Sequence, residues 1–168
     1  MFALASATEY NQRTSHDAEN EGAGRDKLSK HPTTRRKLTR LNRVPKPTVA
    51  ILGASRDRRK FGNKSVRAHL QQGYEVFPVN PNAGRIEGLV AYPDLAAVPA
   101  VPLDRISVYL PPEIGISLLE EIKARKPSEV WLNPGSESPE LLARAEELGL
   151  PIIRACSIVD VGMSPGEL

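Results

Sequence analysis

From Thr48 onward the chain alternates between short apolar runs and helical periodicities, and the alternation defines its organisation. TVAILG (48–53) is β-branched and apolar and ends in glycine, the pattern of a strand buried on both faces. Phe61–Gln72 has helical character, with Val66, Leu70 and either Ala68 or Gln71 expected on its inner side, and Gly73 stops it. YEVFPVN (74–80) is a second strand, closed by Asn80-Pro81. Residues 82–103 are loop-like, with a short strand expected at Leu89–Tyr92 and a helical turn at Leu95–Val98. RISVYL (105–110) is a strand ended by Pro111-Pro112. Glu113–Arg125 predicts one helix, with Ile114, Leu118 and Ile122 on its inner side. EVWLN (129–133) predicts a strand, Ser138–Leu148 a helix with Pro139 in its first turn, and PIIRA (151–155) the last strand. The strands read as apolar on both sides, hence buried, and helical crossovers of this length imply parallel pairing. The expectation is one doubly wound α/β domain of about five parallel strands, covering 48–168. In such a sheet ligands bind beyond the carboxyl ends of the strands, where the strand order reverses.

Residues 1–47 break the pattern. They hold few large apolar residues and no sustained period, so they cannot bury enough surface to offset their ordering entropy. They read as a disordered basic tail, with 10 Lys/Arg against 5 Asp/Glu. Contact with nucleic acid is expected at most weakly, through the run Arg35, Arg36, Lys37, Arg40, Arg43 and Lys46. The opening MFALASATEYNQR lacks a basic n-region and a long apolar core, so no secretory leader is expected.

Charge then sharpens the picture of the domain. The overall balance of +3 conceals a net −2 over 48–168, within which 56–67 (RDRRKFGNKSVR) alone is +5. A protein that grips nucleic acid through a face would spread its positive charge. One concentrated cluster suits a small polyanion. The single cysteine, Cys156, excludes an internal disulfide framework, and with three histidines (His16, His31, His69) leaves little for a metal centre. No run approaches the ~20 apolar residues of a membrane span. These features fit a reducing cytoplasm.

Four strand ends carry candidate chemistry. The first is Gly53-Ala54-Ser55, running through Arg56 and Lys60 into Phe61, Gly62 and Asn63. Gly53 and Gly62 permit a tight turn and a close approach of backbone to ligand. The following helix offers free amides at its N-terminus, a phosphate-binding arrangement, and five basic residues lie nearby. The second end is Val79-Asn80-Pro81. An Asp or Glu here would hold the ribose diol of NAD, and none is present. The first loop is also not G-x-G-x-x-G, so NAD is disfavoured and NADP less so. The third end is Tyr109-Leu110-Pro111-Pro112 and the fourth Asn133-Pro134-Gly135-Ser136. Neither these nor Cys156 form a nucleophile–base–orienter set, so no catalytic residue is assigned. His69, mid-helix, reads as a surface or packing histidine.

Taken in order, GASR, KFGN, GYEVFPVNP, IEGLVAYPDL, YLPPE, VWLNPGSES and ACSIVDVG resemble the CoA-binding domain family, stand-alone relatives of the nucleotide-binding half of the succinyl-CoA synthetase α subunit. The resemblance covers about 48–162. It implies a Rossmann-like, three-layer fold and binding of coenzyme A or acyl-CoA. It implies that Gly53, Ala54 and Ser55 grip phosphate and that Val79, Asn80 and Pro81 lie by the adenosine. Tyr109, Leu110, Pro111 and Pro112 would line the cofactor, and the turn of Asn133, Pro134, Gly135 and Ser136 would close the site toward the pantetheine arm. A cysteine matching Cys156 lies toward the thiol end of CoA in those synthetase subunits. The synthetase continues into a domain with a phosphorylated histidine, whereas no histidine follows His69 here. The expectation is therefore a CoA-binding module rather than a catalyst. Two alternatives stay open, an NADP-type binding protein and an accessory subunit completing an acyl-CoA ligase in trans. Protein partners and oligomeric state are not legible.

Overall fold

The structure, a computed structural model, describes residues 45–168. The tail expectation for 1–47 lies, up to residue 44, outside the described residues. Seven strands and five helices follow in the order β1 (Thr48–Leu52), α1 (Phe61–Gln71), β2 (Glu75–Val79), β3 (Arg85–Ile86), β4 (Leu89–Val90), β5 (Arg105–Val108), α2 (Pro112–Ser117), α3 (Leu119–Arg125), β6 (Glu129–Leu132), α4 (Pro139–Glu147), β7 (Ile152–Arg154) and α5 (Ser157–Asp160). Five strands form one parallel sheet in the order β2-β1-β5-β6-β7. The chain leaves β1 for β2 on one side and later returns to β5 on the other. The order therefore reverses between β1 and β5, as the doubly wound reading requires.

Because side chains alternate across a strand, β1 serves two cores. Ala50 and Leu52 join Phe77, Ile106, Val108, Val130 and Leu132 beneath Leu119 and Ile122 of α3 and Leu141 and Ala145 of α4. Val49 and Ile51 join Val76 beneath Val66 of α1 on the opposite face. Pro78 sits inside β2, which it can do because β2 is an edge strand whose outer side needs no ladder donor there. Its carbonyl accepts from Tyr92 N (2.8 Å).

Four local expectations need correction. Leu70 is partly exposed (36%), whereas His69 is fully buried. His69 takes the inner position by packing edge-on to Tyr74 and bonding back to Ser65 within the helix, so burial falls on a polar residue rather than on the next leucine. Glu113–Arg125 is not one helix. At Leu118 (φ −98, ψ −5) the amide bonds to Gly115 O (3.1 Å) in a tight turn, and Ser117 Oγ donates to Ile114 O (2.8 Å). The break shifts the helical phase, leaving Ile114 exposed (48%) and burying Leu119 with Ile122. β7 is a half-buried edge strand rather than a buried one. The 82–103 loop contains a hairpin, β3 pairing antiparallel with β4, whose two-residue strands are too short to leave a periodicity.

Arg105 is the most unusual buried group. Its guanidinium lies 4.5 Å from the Trp131 ring centroid and 5.7 Å from that of Tyr74. Its Nη2 donates to Glu129 (2.9 Å) and Asp160 (2.8 Å), which ties α5 to the sheet. His69 packs edge-on to Tyr74, and its Nδ1 donates to Ser65 O (2.9 Å). Burial is the main cause that drives the His69 imidazole down to about 4, opposed by the Ser65 carbonyl and reinforced by Arg105. In the unfolded chain it would titrate near 6.5. Between these values the unfolded state binds the extra proton. Stability from this group is therefore complete above pH 6.5 and lost as pH falls toward 4, by about 3 kcal/mol in all. Chemical denaturation across pH 4–7 should show this slope in the wild type. It should be lost in His69→Leu, so that the difference between the two curves carries it, and an unchanged slope in the variant would refute the assignment.

Candidate functional site

At the carboxyl edge of the sheet, beside the β1–β5 reversal, lies a cavity of about 810 Å³. Gly53 turns the chain out of β1 with φ +82. A Cβ on it would sit 2.7 Å from Tyr109 O, and one on Gly62 would sit 2.2 Å from Gly53 O. The two glycines thus let the end of β1, the start of α1 and the end of β5 cross in contact. The close approach they permit is first of all backbone to backbone, ahead of any ligand.

The loop between Gly53 and α1 is knitted by its own side chains. Ser55 Oγ accepts from Asp57 N (3.1 Å), leaving its hydroxyl proton free for an acceptor. Asp57 accepts from Arg59 through backbone and guanidinium, and these hydrogen bonds hold its carboxyl at about 2. Arg58 pairs with Glu87 at 2.9 Å. Lys64 Nζ donates to Pro165 O (2.6 Å). Arg56 and Lys60 make no ion pair with any described residue. Lys60 is also the N-cap of α1, which has no capping side chain and no acid in its first turn. The helix therefore presents its first amides, at Phe61 and Gly62, to the cavity without a competing anion.

The other walls come from later strand ends. Asn80 spans the gap to the loop, its Nδ2 donating to Ala54 O (2.6 Å) and its Oδ1 accepting from Asn82 N (2.8 Å). A carboxylate could not make the first of these bonds, which gives a local reason why no acid stands here. Asn133 is 1% exposed and spends its amide inside the protein. Its Nδ2 donates to Ser107 Oγ (2.8 Å) and Val108 O (3.0 Å), and its Oδ1 accepts from Ser157 N (2.9 Å). Ser157 Oγ in turn meets Ser107 Oγ (2.7 Å) and the Tyr109 hydroxyl (3.0 Å). Burial raises the Tyr109 phenol above its ordinary range, against the pull of these hydroxyls. The network fixes three strand ends and seats Cys156, half-buried, on the cavity wall beside Pro134 and Gly135.

Of the residues singled out in the sequence, all but Arg56, Asn63, Val79 and Pro81 line this cavity. Val79 and Pro81 line a second, more apolar cavity of about 360 Å³ that shares Gly53, Asn80 and Leu110 with the first. Arg56 is exposed outside both. Asn63 is fully buried beneath the loop, its Nδ2 donating to Ser55 O (2.8 Å) and Glu87 Oε1 (3.0 Å). Ser136, the last residue of the fourth strand-end turn, lines the larger cavity as well, and the sequence reading missed Glu113, which does so too. Glu113 directly follows Pro111-Pro112, the one signal that could have found it. Among the described residues, no three His, Cys, Asp or Glu side chains cluster as a metal site would need, and no helix is long and apolar enough to cross a membrane.

A five-stranded parallel sheet with a glycine–serine loop and an uncapped helix end at the order reversal is the architecture of a Rossmann-like nucleotide-binding domain. The chain belongs to the CoA binding domain family, which matches residues 47–162. Solved structures share the fold. A Thermus thermophilus protein (cell-free ID.343) is 34% identical, with a TM-score of 0.62 over 68% of this chain and 87% of that one. A conserved hypothetical protein from Pyrococcus furiosus is 32% identical, with a TM-score of 0.62 over 68% of this chain and 98% of the other. A dinucleotide-forming acetyl-coenzyme A synthetase from Ca. Korarchaeum cryptofilum, in complex with phosphate and ADP, is 25% identical with a TM-score of 0.56. That likeness spans 64% of this chain but a quarter of the synthetase.

Proposed function

We propose that this chain binds coenzyme A or an acyl-CoA in the larger cavity, without transforming it, as a cytoplasmic module. The observation that carries the reading is the unequal use of the basic loop. Arg58, Arg59 and Lys64 are engaged within the protein, while Lys60, on the cavity wall at the uncapped start of α1, and Arg56, exposed on the loop next to Ser55, make no ion pair with any described residue. Such a site suits a ligand bringing several phosphate charges. The apolar second cavity at Val79, Pro81 and Leu110 suits a flat heterocycle, and the channel past Pro134 and Cys156 suits an uncharged arm. Asn80 favours CoA over NAD, since it offers the ribose diol no carboxylate. Against catalysis, Glu113 is the one carboxylate on the cavity wall among the described residues, and the Tyr109 hydroxyl is held by Ser157. His69 is fully buried on the inner side of α1 and so is a poor phosphoryl carrier for a ligase acting in trans. Native mass spectrometry of the purified full chain tests the reading. CoA or an acyl-CoA should leave with the protein, and a nicotinamide nucleotide in its place would refute it.

Cys156 gives the orientation its own test. If the thiol end of CoA lies there, mild peroxide should join the two sulfurs. Peroxide takes two electrons and two protons from the two thiols and leaves as water. The intact mass should rise by one CoA less two hydrogens, reversibly with a reducing agent and not in Cys156→Ser. No adduct at saturating CoA would place the thiol end elsewhere.

A further inference from the structure

The β3–β4 hairpin contains a residue that the fold alone does not account for. Glu87 and Gly88 form its two-residue turn, both with positive φ (+48 and +81). Glycine adopts this conformation freely, whereas glutamate does so at a cost, and the favoured residue at Glu87's position would be Asn. The strained residue places its carboxylate against the basic loop. Its Oε2 accepts from Arg58 Nη1 (2.9 Å) and its Oε1 from Asn63 Nδ2 (3.0 Å). Asn63 passes the connection on, donating to Ser55 O (2.8 Å) and accepting from Arg67 Nε (2.9 Å). Arg67 Nη2 then closes on Arg58 O (3.0 Å). Both ends of the Ser55–Arg58 segment are thereby fastened, and Arg58 is drawn toward the hairpin. The Glu87 side chain is 18% exposed against 63% for Arg58, so the acid is the anchored partner.

We propose that Glu87 is a positioning residue for the anion-binding loop: through Asn63 it holds the Ser55–Lys60 backbone in its ligand-ready shape. It also withdraws Arg58, so that Arg56 and Lys60 are the cations left for the ligand. This rests on the loop being the phosphate end of the CoA site. Backbone strain that survives at a ligand clamp is offset by the geometry it secures.

Two variants of equal charge separate the brace from electrostatics. Glu87→Gln keeps an acceptor for Asn63 but turns a donor toward Arg58, so it gives up the ion pair together with its hydrogen bond. Glu87→Asn is too short for the brace, yet it relieves the turn. In calorimetric titrations of the full chain with CoA, E87Q should bind as well as the wild type or tighter. E87N should bind about fivefold more weakly than E87Q, the worth of one net hydrogen bond. Hydrogen exchange should quicken at amides 55–62 in E87N and not in E87Q, while the Tm of E87N equals or exceeds that of the wild type. Equal affinity and equal exchange in the two variants would overturn the proposal. So would a Tm of E87N that falls in step with its affinity, since Glu87 would then be holding the fold. Should the wild type itself bind no CoA, the CoA reading fails, and the exchange comparison alone decides on Glu87.

Discussion

Replacing Arg56 and Lys60 together by alanine is expected to weaken CoA binding by about tenfold or more, because each charge-assisted bond to phosphate is worth ~1.5–3 kcal/mol. The loop holds several cations, but they are not equivalent. Arg58 lies on Glu87 and Arg59 on Asp57, each within 3.0 Å, so their fields are largely cancelled before a ligand arrives. Such exposed pairs add little to stability, and their importance here is that they neutralise. Lys60 lines the cavity at the N-cap of α1, and Arg56 leaves the loop directly after Ser55. The affinity of the double variant should also depend less on salt, since two screened attractions have gone. The charge-matched control is Arg58→Ala with Arg59→Ala, which should cost about threefold or less. Equal losses in the two double variants would mean that the site responds to net charge and not to the unpaired cations.

Gly62→Ala is expected to be the most damaging single substitution in the loop. Its Cβ would lie 2.2 Å from Gly53 O and 3.2 Å from Ala54 Cα. Both neighbours are backbone of a buried strand end, so neither can swing aside. α1 would have to lift from β1, disturbing the Ser55 loop and the packing of Val66 together. Overpacking in such places costs about 3 kcal/mol or more, a fall in Tm on the order of 10 °C. Gly73→Ala makes the contrast. It stands at φ +82 with nothing within 4 Å, so it should lose only the ~1–2 kcal/mol of left-handed backbone. Circular dichroism melts of both variants measure the difference. A Gly62→Ala protein as stable as Gly73→Ala would refute the crossing of β1 and α1 described above.

The strands were legible wherever burial on two faces left an apolar run, as in TVAIL and EVWL, and the parallel order followed from helical crossovers between them. Legibility failed where polar groups do the packing. His69 and Ser65 are buried on the inner side of α1 and bond to each other there, an arrangement that no apolar periodicity reveals. It failed too at Leu118, where a hydroxyl and a tightened turn shift the phase of a run that reads as continuous. At the candidate site the residue types at strand ends were visible, since glycine, proline and asparagine punctuate the chain there. What each does was not. Asn63 and Asn133 read as groups for a ligand, yet their amides are spent on Ser55 O and Ser107 Oγ. Which cations stay free was equally hidden, because it depends on Glu87, which lies 29 residues from Arg58.

The central claim is that the cavity between the Gly53 loop and the Pro134 turn takes coenzyme A. Isothermal titration of the full chain with CoA, and separately with NADP⁺, tests it most directly. The account predicts saturable binding of one CoA per chain, weakened by salt, and no heat from NADP⁺ at the same concentrations. Saturable binding of NADP⁺ with none of CoA would contradict it.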